Sequence, residues 1–247
     1  MKIPSIQGVI RRRLLLNYRV APEVVNSVLP RNFRPKLVHG HAIAGICLIR
    51  LEKLRPRALP SGIGELVGVA SENSAHRIAV EWEGESGEMV EGVFVPRRDT
   101  DSRFNALVGG RVFPGVHHYS EFLVDDRRGQ IHMQVNAADQ KNSLVDVVAS
   151  ETESFPSDSI FGSLDESSQF FEAGCIGYSS RFDSCVLEGL RLKIDDWQAS
   201  PLAVDRVASS YFDDRSLFPE DSIQFDHALL MRNIPHEWHS EPNLTAE

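Results

Sequence analysis

The chain has 247 residues, of which 42% are hydrophobic and 25% charged, a composition typical of a globular protein with its own core. Its 26 basic and 35 acidic side chains give a net charge of −9 and are spread along the chain, which argues against nonspecific nucleic-acid binding. The best apolar run, Ile43 to Ile49, is far shorter than the roughly 18 residues of a membrane span. We therefore expect neither nucleic acid nor membrane among its partners.

The cysteines and the lack of familiar motifs bear on the location, cofactors and function of the protein. Cys47, Cys175 and Cys185 are an odd number without metal-type spacing, which favours free thiols and a cytoplasmic location, although Cys175 and Cys185 could face each other. The familiar nucleotide-binding, nucleophile-elbow and metalloprotease motifs are missing, and no cofactor is expected. Without repeats or linkers, we expect one domain over 1–247, with a core at 10–235 and tails at 1–9 and 240–247.

The first half of the chain predicts strands and one short helix. Pro22 and Glu23 are typical of a first helical turn, and Pro30 ends that helix. The pair His39-Gly40 predicts a tight hairpin turn. The predicted strands are 11–20, 33–38, 41–51, 66–71, 77–82 and 89–96.

The second half continues the same pattern. Thr100 or Asp101 can cap a helix that ends at Gly109-Gly110, and a further helix is predicted from Ser163 to Ala173. The predicted strands are two between 116 and 136 and then 144–149, 187–194, 203–212 and 222–231. About a dozen strands with no βαβ alternation indicate an antiparallel barrel or sandwich carrying a few helices.

Several short segments, in order, resemble the acetoacetate decarboxylase-like superfamily. Tyr18-Arg19-Val20-Ala21-Pro22-Glu23 followed by Val28-Leu29-Pro30 is similar to its opening strand and helix. The later matching segments are Glu72, Phe94-Val95-Pro96, Gly110-Arg111-Val112-Phe113, Val207-Ala208-Ser209-Ser210 and Phe225-Asp226. Leu54-Arg55-Pro56-Arg57, Trp197 with Pro201-Leu202, and Ile234-Pro235-His236-Glu237-Trp238 resemble an uncharacterised bacterial branch of that superfamily.

This resemblance implies a mainly β (α+β) fold: an antiparallel conical β-barrel with a few short peripheral helices, a small-molecule pocket and assembly into a homo-oligomer. The parent enzyme uses a lysine that forms a Schiff base with a β-keto acid. The lysine motif, Gly-x-Pro-Lys-Lys, matches Gly115-Val116-His117-His118-Tyr119, so His118 stands at the lysine position. An imidazole cannot form such an imine, and the resemblance therefore implies a member without that chemistry.

Two other superfamily positions match this chain. Arg11 lies seven residues before Tyr18, the spacing of the pocket arginine, and Glu72 matches the pocket glutamate. In this interpretation Arg11 binds a substrate carboxylate, Glu72 is the general acid/base and His118 assists. His117 and His118 alternate along a strand, and by the alignment His118 faces inward and His117 faces solvent.

The sequence leaves other interpretations open. Arg11 belongs to a run of three arginines and could be solvated, and Glu72 could be a loop carboxylate. A displaced lysine, Lys36 or Lys193, could still form an imine. The nine histidines could in principle bind a metal, but no pair has zinc-type spacing, so no metal is expected. The histidines weighed for such a site are His39, His41, His76, His117, His118 and His132.

Two functions follow as hypotheses. The first is a lyase or related enzyme that acts on a small carboxylate or keto acid without a Schiff-base lysine. The second is a noncatalytic ligand-binding or regulatory module that kept the pocket and lost the chemistry.

Overall fold

A computed structural model describes residues 5–58, 69–108, 115–138, 144–181 and 185–246. In these ranges the chain is mainly β, as predicted, with three short helices: α1 (Pro22–Val28), α2 (Arg103–Val108) and α3 (Leu164–Ala173). The strands are β1 (Ile6–Val20), β2 (Arg34–Pro35), β3 (Leu37–Val38), β4 (His41–Pro56), β5 (Val69–Glu83), β6 (Met89–Thr100), β7 (His117–Arg127), β8 (Gln130–Ala137), β9 (Val145–Glu151), β10 (Ile176–Ser180), β11 (Val186–Lys193), β12 (Ser200–Ser209) and β13 (Ile223–Thr245). No helix of the described ranges has the length and apolar character to span a bilayer.

Local sequence signals set several of these boundaries as expected. His39 and Gly40 both have positive φ angles, 45° and 82°, which form the predicted tight turn between β3 and β4. Ser163 caps α3, because its side chain accepts the backbone N–H of Glu166 at 3.1 Å. Gly174 ends the same helix, as predicted.

The strands form one continuous sheet that closes on itself. One closed path runs β1-β4-β5-β6-β7-β8-β9-β12-β13 and returns to β1. A second path leaves β6 through β10 and β11 and rejoins the first at β13. The two rings therefore share five strands, β13-β1-β4-β5-β6, which act as a common wall.

The common wall explains the apolar run that the sequence shows in β4. Every residue from Ala42 to Ile49 is buried, because a separate hydrophobic core covers each face of the strand. Leu14, Leu48 and Ile78 belong to the larger core, and Leu15 and Cys47 belong to the smaller one. Neighbouring residues of one strand thus serve two different interiors.

The structure corrects four details of the prediction. Residues 69–71 of the first predicted strand and the whole of the strand predicted at 77–82 belong to one strand, β5, because its polar middle is hydrogen-bonded on both sides to β4 and β6, while 66–68 lie outside the described residues. β13 continues to Thr245, where a loose tail was expected, because its last part pairs with β11. The short strand β10 was missed, and β6 pairs in parallel with both β7 and β10 in a sheet that was expected to be antiparallel. Gly109-Gly110 and 111–113 lie outside the described residues.

Candidate functional site

A cavity of about 760 Å³ lies on the smaller-core side of the common wall. The common-wall strands β1, β4, β5, β6 and β13 line it, together with β11, the 194–197 segment and the end of α3. Its lining is mainly apolar. Five arginines interrupt that lining. We call Arg13, Arg77 and Arg98, on β1, β5 and β6, the cavity arginines; the other two are Arg55 and Arg191.

Strand register places Arg98 in the cavity beside His117. Cys47, Ala75, Arg98 and His117 are successive cross-strand partners on β4, β5, β6 and β7, and laterally paired residues point to the same face of a sheet. The Nε of Arg98 donates to the hydroxyl of Ser179 at 2.9 Å. Burial lowers the pKa of Arg98 to about 10, so the guanidinium is still charged at neutral pH.

A second register row orients Arg77. Asn17, Gly45 and Arg77 are partners on β1, β4 and β5, and Arg77 Nη2 reaches across the glycine to donate to Asn17 Oδ1 at 2.6 Å. A Cβ at Gly45 would lie 2.5 Å from the carbonyl oxygen of Leu16 and 3.2 Å from Asn17 Oδ1. Glycine at this position therefore keeps the path between the two side chains open. The guanidinium of Arg77 lies 4.7 Å from the ring centre of Phe171.

The Asn17 side chain is itself held by a buried polar network. The Nδ1–H of His227 donates to Asp226 Oδ2 at 2.7 Å, and Nε2 accepts from Ser167 Oγ at 2.7 Å and from Asn17 Nδ2 at 3.1 Å. Burial lowers the pKa of His227, which keeps the ring neutral. These are the contacts of a Ser-His-Asp triad, but Ser167 is fully buried and lies outside the cavity lining, so the network supports Arg77 and does not serve as a nucleophile.

Arg13, on β1, is the third of these arginines. Its Nε lies 3.4 Å from the sulfur of Cys47, and its guanidinium carbon lies 5.5 Å from the ring centre of Trp197. Its Nη1 also lies 3.8 Å from the sulfur of Met231, and none of these contacts is with a carboxylate. They hold the side chain in place without neutralising it.

The cavity arginines share one property: within the described ranges, none of the three has a carboxylate at ion-pair distance. Asp99 also lines the cavity, but its carboxylate accepts from Arg97 at 2.9 Å and from the hydroxyl of Ser120. Arg77 Nε is buried and has no hydrogen-bond partner in the described part of the chain. Buried charge without a counter-charge is costly, so the cavity is suited to bind an anion.

His117 supplies a neutral imidazole next to Arg98. Burial, and secondarily the charge of Arg98, lower the pKa of His117 to about 4. Its Nδ1 lies 3.0 Å from the carbonyl oxygen of Gly115, an atom that can only accept, so Nδ1 carries the proton and Nε2 keeps its lone pair. The site therefore combines cations for an anion with one nitrogen that can take a proton.

The three residues proposed from the sequence do not meet in this cavity. Arg11 is exposed and bonds to the side chain of Asn233. Glu72 is 5% exposed, but it lies on the other face of β5, between Arg12 at 2.7 Å and Arg50 at 3.2 Å. The shared pocket expected for Arg11, Glu72 and His118 is therefore not formed.

The expected orientation of the histidine pair is reversed. His118 is exposed, and His117 lines the cavity. The physical cause is the parallel pairing of β6 with β7, which sets His117 opposite Arg98. Alternation along a strand was correctly expected, but the sequence alone could not say which member of the pair faced inward.

The structure also locates the lysines and cysteines that the sequence analysis considered. Lys36 pairs with Glu91 at 2.5 Å, and Lys193, at the edge of the cavity, pairs with Asp195 at 3.1 Å. Over the described ranges, no cluster of three or more His, Cys, Asp or Glu side chains is arranged to hold a metal ion. The cysteines are free, as predicted.

Sequence reasoning missed Arg13, Arg77 and Arg98 as a group. The sequence predicts Arg77 at the start of an ordinary strand and predicts no strand at Arg98. The available signal was Gly45 inside the apolar run of β4, since an isolated glycine in a strand often marks a close approach of neighbouring groups.

Solved structures with similar folds come from acetoacetate decarboxylases and related enzymes. Acetoacetate decarboxylase from Legionella pneumophila matches with a TM-score of 0.63 at 10% identity, covering 98% of this chain and 88% of that one. The enduracididine biosynthesis enzyme MppR, complexed with pyruvate, matches at 0.62 and 9% identity, covering 99% and 91%. An acetoacetate decarboxylase-like enzyme from Sphingomonas wittichii RW1 matches at 0.61 and 11% identity, covering 98% and 93%.

These matches define the class of fold as acetoacetate decarboxylase-like, as the sequence resemblance implied. A comparison with curated protein sequences gives no significant match. The chain belongs to the DUF2071 family, described as an uncharacterized conserved protein, which matches residues 9–227.

Proposed function

We propose that the cavity binds a small carboxylic acid, and that the preferred ligand is a keto acid. The observation that carries this proposal is the set of three guanidinium groups, Arg13, Arg77 and Arg98, that line one apolar cavity without carboxylate partners in the described ranges. Guanidinium groups bind carboxylates through paired, charge-assisted hydrogen bonds. MppR, which shares the fold, is complexed with pyruvate, and this supports a keto acid as the ligand.

His117 gives this ligand a route to chemistry without an imine. With the carboxylate bound at the guanidinium groups, Nε2 of His117 accepts a proton from the carbon next to the ketone. The electron pair of the broken C–H bond moves to the carbonyl oxygen, and Arg98 stabilises the enolate that forms. Such a lyase-like enzyme is the leading function, and a ligand-binding module on the same fold is the alternative.

Isothermal titration with 2-oxobutanoate tests the binding step. We expect Arg98→Gln to weaken binding about 10- to 100-fold, because it removes charge-assisted hydrogen bonds. The matched control is Arg206→Gln, which removes an exposed arginine that pairs with Asp146 on the outside of β12. Equal affinity for wild type and Arg98→Gln would contradict the proposal.

Proton exchange separates the enzyme from the binding module. In deuterated water, wild-type protein should speed the exchange of the C3 protons of 2-oxobutanoate, followed by proton NMR. His117→Gln should bind the acid and lose this exchange, whereas the exposed variant His118→Gln should keep it. Binding without exchange in the wild type would assign the protein to the noncatalytic class.

A further inference from the structure

We propose that the acid bound here carries an extended apolar body, of about eight carbons or an aromatic ring system, and not the short chain of pyruvate. This inference rests on the proposed function, since it takes the carboxylate to be held by the cavity arginines. The inference concerns the part of the ligand beyond the carboxylate, which the apolar residues of the cavity would contact.

The size of the cavity is the first argument. Its volume of about 760 Å³ lies well inside the range of roughly 300–1,000 Å³ that is usual for sites of drug-sized ligands. A three-carbon acid would occupy a small part of it. The remaining apolar wall would then stay in contact with water, which gives no hydrophobic contribution to binding.

The distribution of charge is the second argument. The unpaired arginines lie on β1, β5 and β6 and form the cationic side, whereas apolar side chains of β4, β11, β13 and the segment after β11 form the apolar side. The apolar residues of this side are Leu54, Leu190, Leu192, Ile194 and Trp238. The basic side chains among them already have partners: Arg191 pairs with Glu241 at 2.5 Å, Lys193 pairs with Asp195 at 3.1 Å, and Arg55 donates to the side-chain oxygen of Gln7.

The cavity is therefore polarised, with one cationic side and one apolar side. A ligand that matches both sides has a single anionic group and a hydrocarbon body. Burying one methylene of that body contributes enough hydrophobic free energy to raise affinity about fourfold. Affinity should rise steeply with chain length until the body fills the apolar side.

A homologous series tests this directly. Unbranched 2-oxo acids of three to ten carbons are titrated into the wild-type protein, with the primary alcohol of each chain length as the uncharged control. We expect affinity to rise about fourfold per methylene over several members, and each acid to bind at least tenfold more tightly than its alcohol. Affinity that is flat with chain length would overturn the extended-body inference and leave the proposed function standing. Alcohols that bind as tightly as the acids would instead overturn the proposed function.

A cavity-filling variant locates the apolar body. Leu190→Trp should weaken binding of the ten-carbon acid tenfold or more and leave pyruvate unchanged, because the added ring occupies the apolar side only. Leu123→Trp, at an exposed position of β7, is the matched control. Equal losses for the long and the short acid would contradict the assignment. The wild-type series stands as a test even where the variant is unstable.

Discussion

Two adjacent arginines of β1 illustrate two different uses of buried charge. Arg12 faces the larger-core side and is 4% exposed, and it forms an ion pair with Glu72 at 2.7 Å and a longer one with Asp126 at 3.5 Å. Arg13 faces the cavity, where its contacts are the sulfurs of Cys47 and Met231 and the ring of Trp197. One face of the wall thus carries matched arginines, and the other carries unmatched ones.

The matched group extends beyond Arg12. Glu72 also accepts from Arg50 at 3.2 Å, and Asp126 accepts from both terminal nitrogens of Arg232, at 2.8 and 2.9 Å. These hydrogen bonds lower the pKa of Asp126 and raise that of Arg232. A network of this kind satisfies its own charges and needs no ligand, whereas the cavity arginines gain a counter-charge only when an anion binds.

The largest expected effect is on stability, and it has opposite consequences on the two faces. Arg12→Gln should lower the free energy of unfolding by about 3–5 kcal/mol, because it leaves a buried carboxylate short of its closest partner. Arg98→Gln should leave the unfolding free energy unchanged or raise it, since a half-buried charge without a counter-charge is removed. Urea denaturation of both variants measures the contrast, and equal destabilisation would remove the distinction between the two groups.

The second prediction concerns how the free energy of unfolding changes at acidic pH. Burial lowers the pKa of His76 to about 3 and that of His117 to about 4, whereas the ordinary value of histidine is about 6.5. Above pH ~6.5 both the folded and unfolded states hold these rings neutral; below it only the unfolded state takes up the protons, so stability falls as pH drops toward 4. Each such histidine contributes a slope of about 1.4 kcal/mol per pH unit, or about 3 kcal/mol over this window.

The acid prediction is checked by urea denaturation between pH 4 and 7. His76→Gln should flatten the slope. A saturating keto acid should also flatten it, because an anion beside Arg98 favours protonated His117. An unchanged slope in His76→Gln would contradict the assignment of His76 as a buried neutral ring.

The third prediction converts an unmatched arginine into a matched one. Asn17→Asp places a carboxylate where Arg77 Nη2 now donates to an amide oxygen at 2.6 Å. We expect the affinity for the keto acid to fall about tenfold, since the new carboxylate competes with that of the ligand. In an Arg77→Gln background the same change should have little further effect, and titration of the four proteins of this double-mutant cycle measures it. Independent losses would show that Asn17 does not act through Arg77.

Much of the fold could be predicted from the sequence, because its signals are local. The turn at His39-Gly40 and the cap at Ser163 depend on residues a few positions apart, and both are present as expected. β5 was divided in two because its polar middle has no local signal for a strand. Its continuity depends on hydrogen bonds to β4 and β6, which are distant in the sequence.

The site was harder to predict for a related reason. In the run Arg11-Arg12-Arg13, the sequence indicates alternation but not which face meets which core. The irregular pairing of β1 with β4 between Ile10 and Arg12 also shifts the simple alternation at that point. The resemblance pointed to Arg11, whereas the structure leaves Arg11 exposed and places Arg13 in the cavity. Whether a given arginine lies beside a carboxylate depends on strand pairing in the folded sheet, which the sequence does not show.

The central claim is that the cavity arginines bind the carboxylate of a ligand. Its most direct test is a crystal structure of the protein with a bound 2-oxo acid. The account predicts the carboxylate oxygens within hydrogen-bond distance of Arg98 and Arg77, the carbon next to the ketone facing Nε2 of His117, and the Arg12–Glu72 pair unchanged. A carboxylate bound elsewhere, with the three cavity guanidinium groups left without an anion, would contradict it.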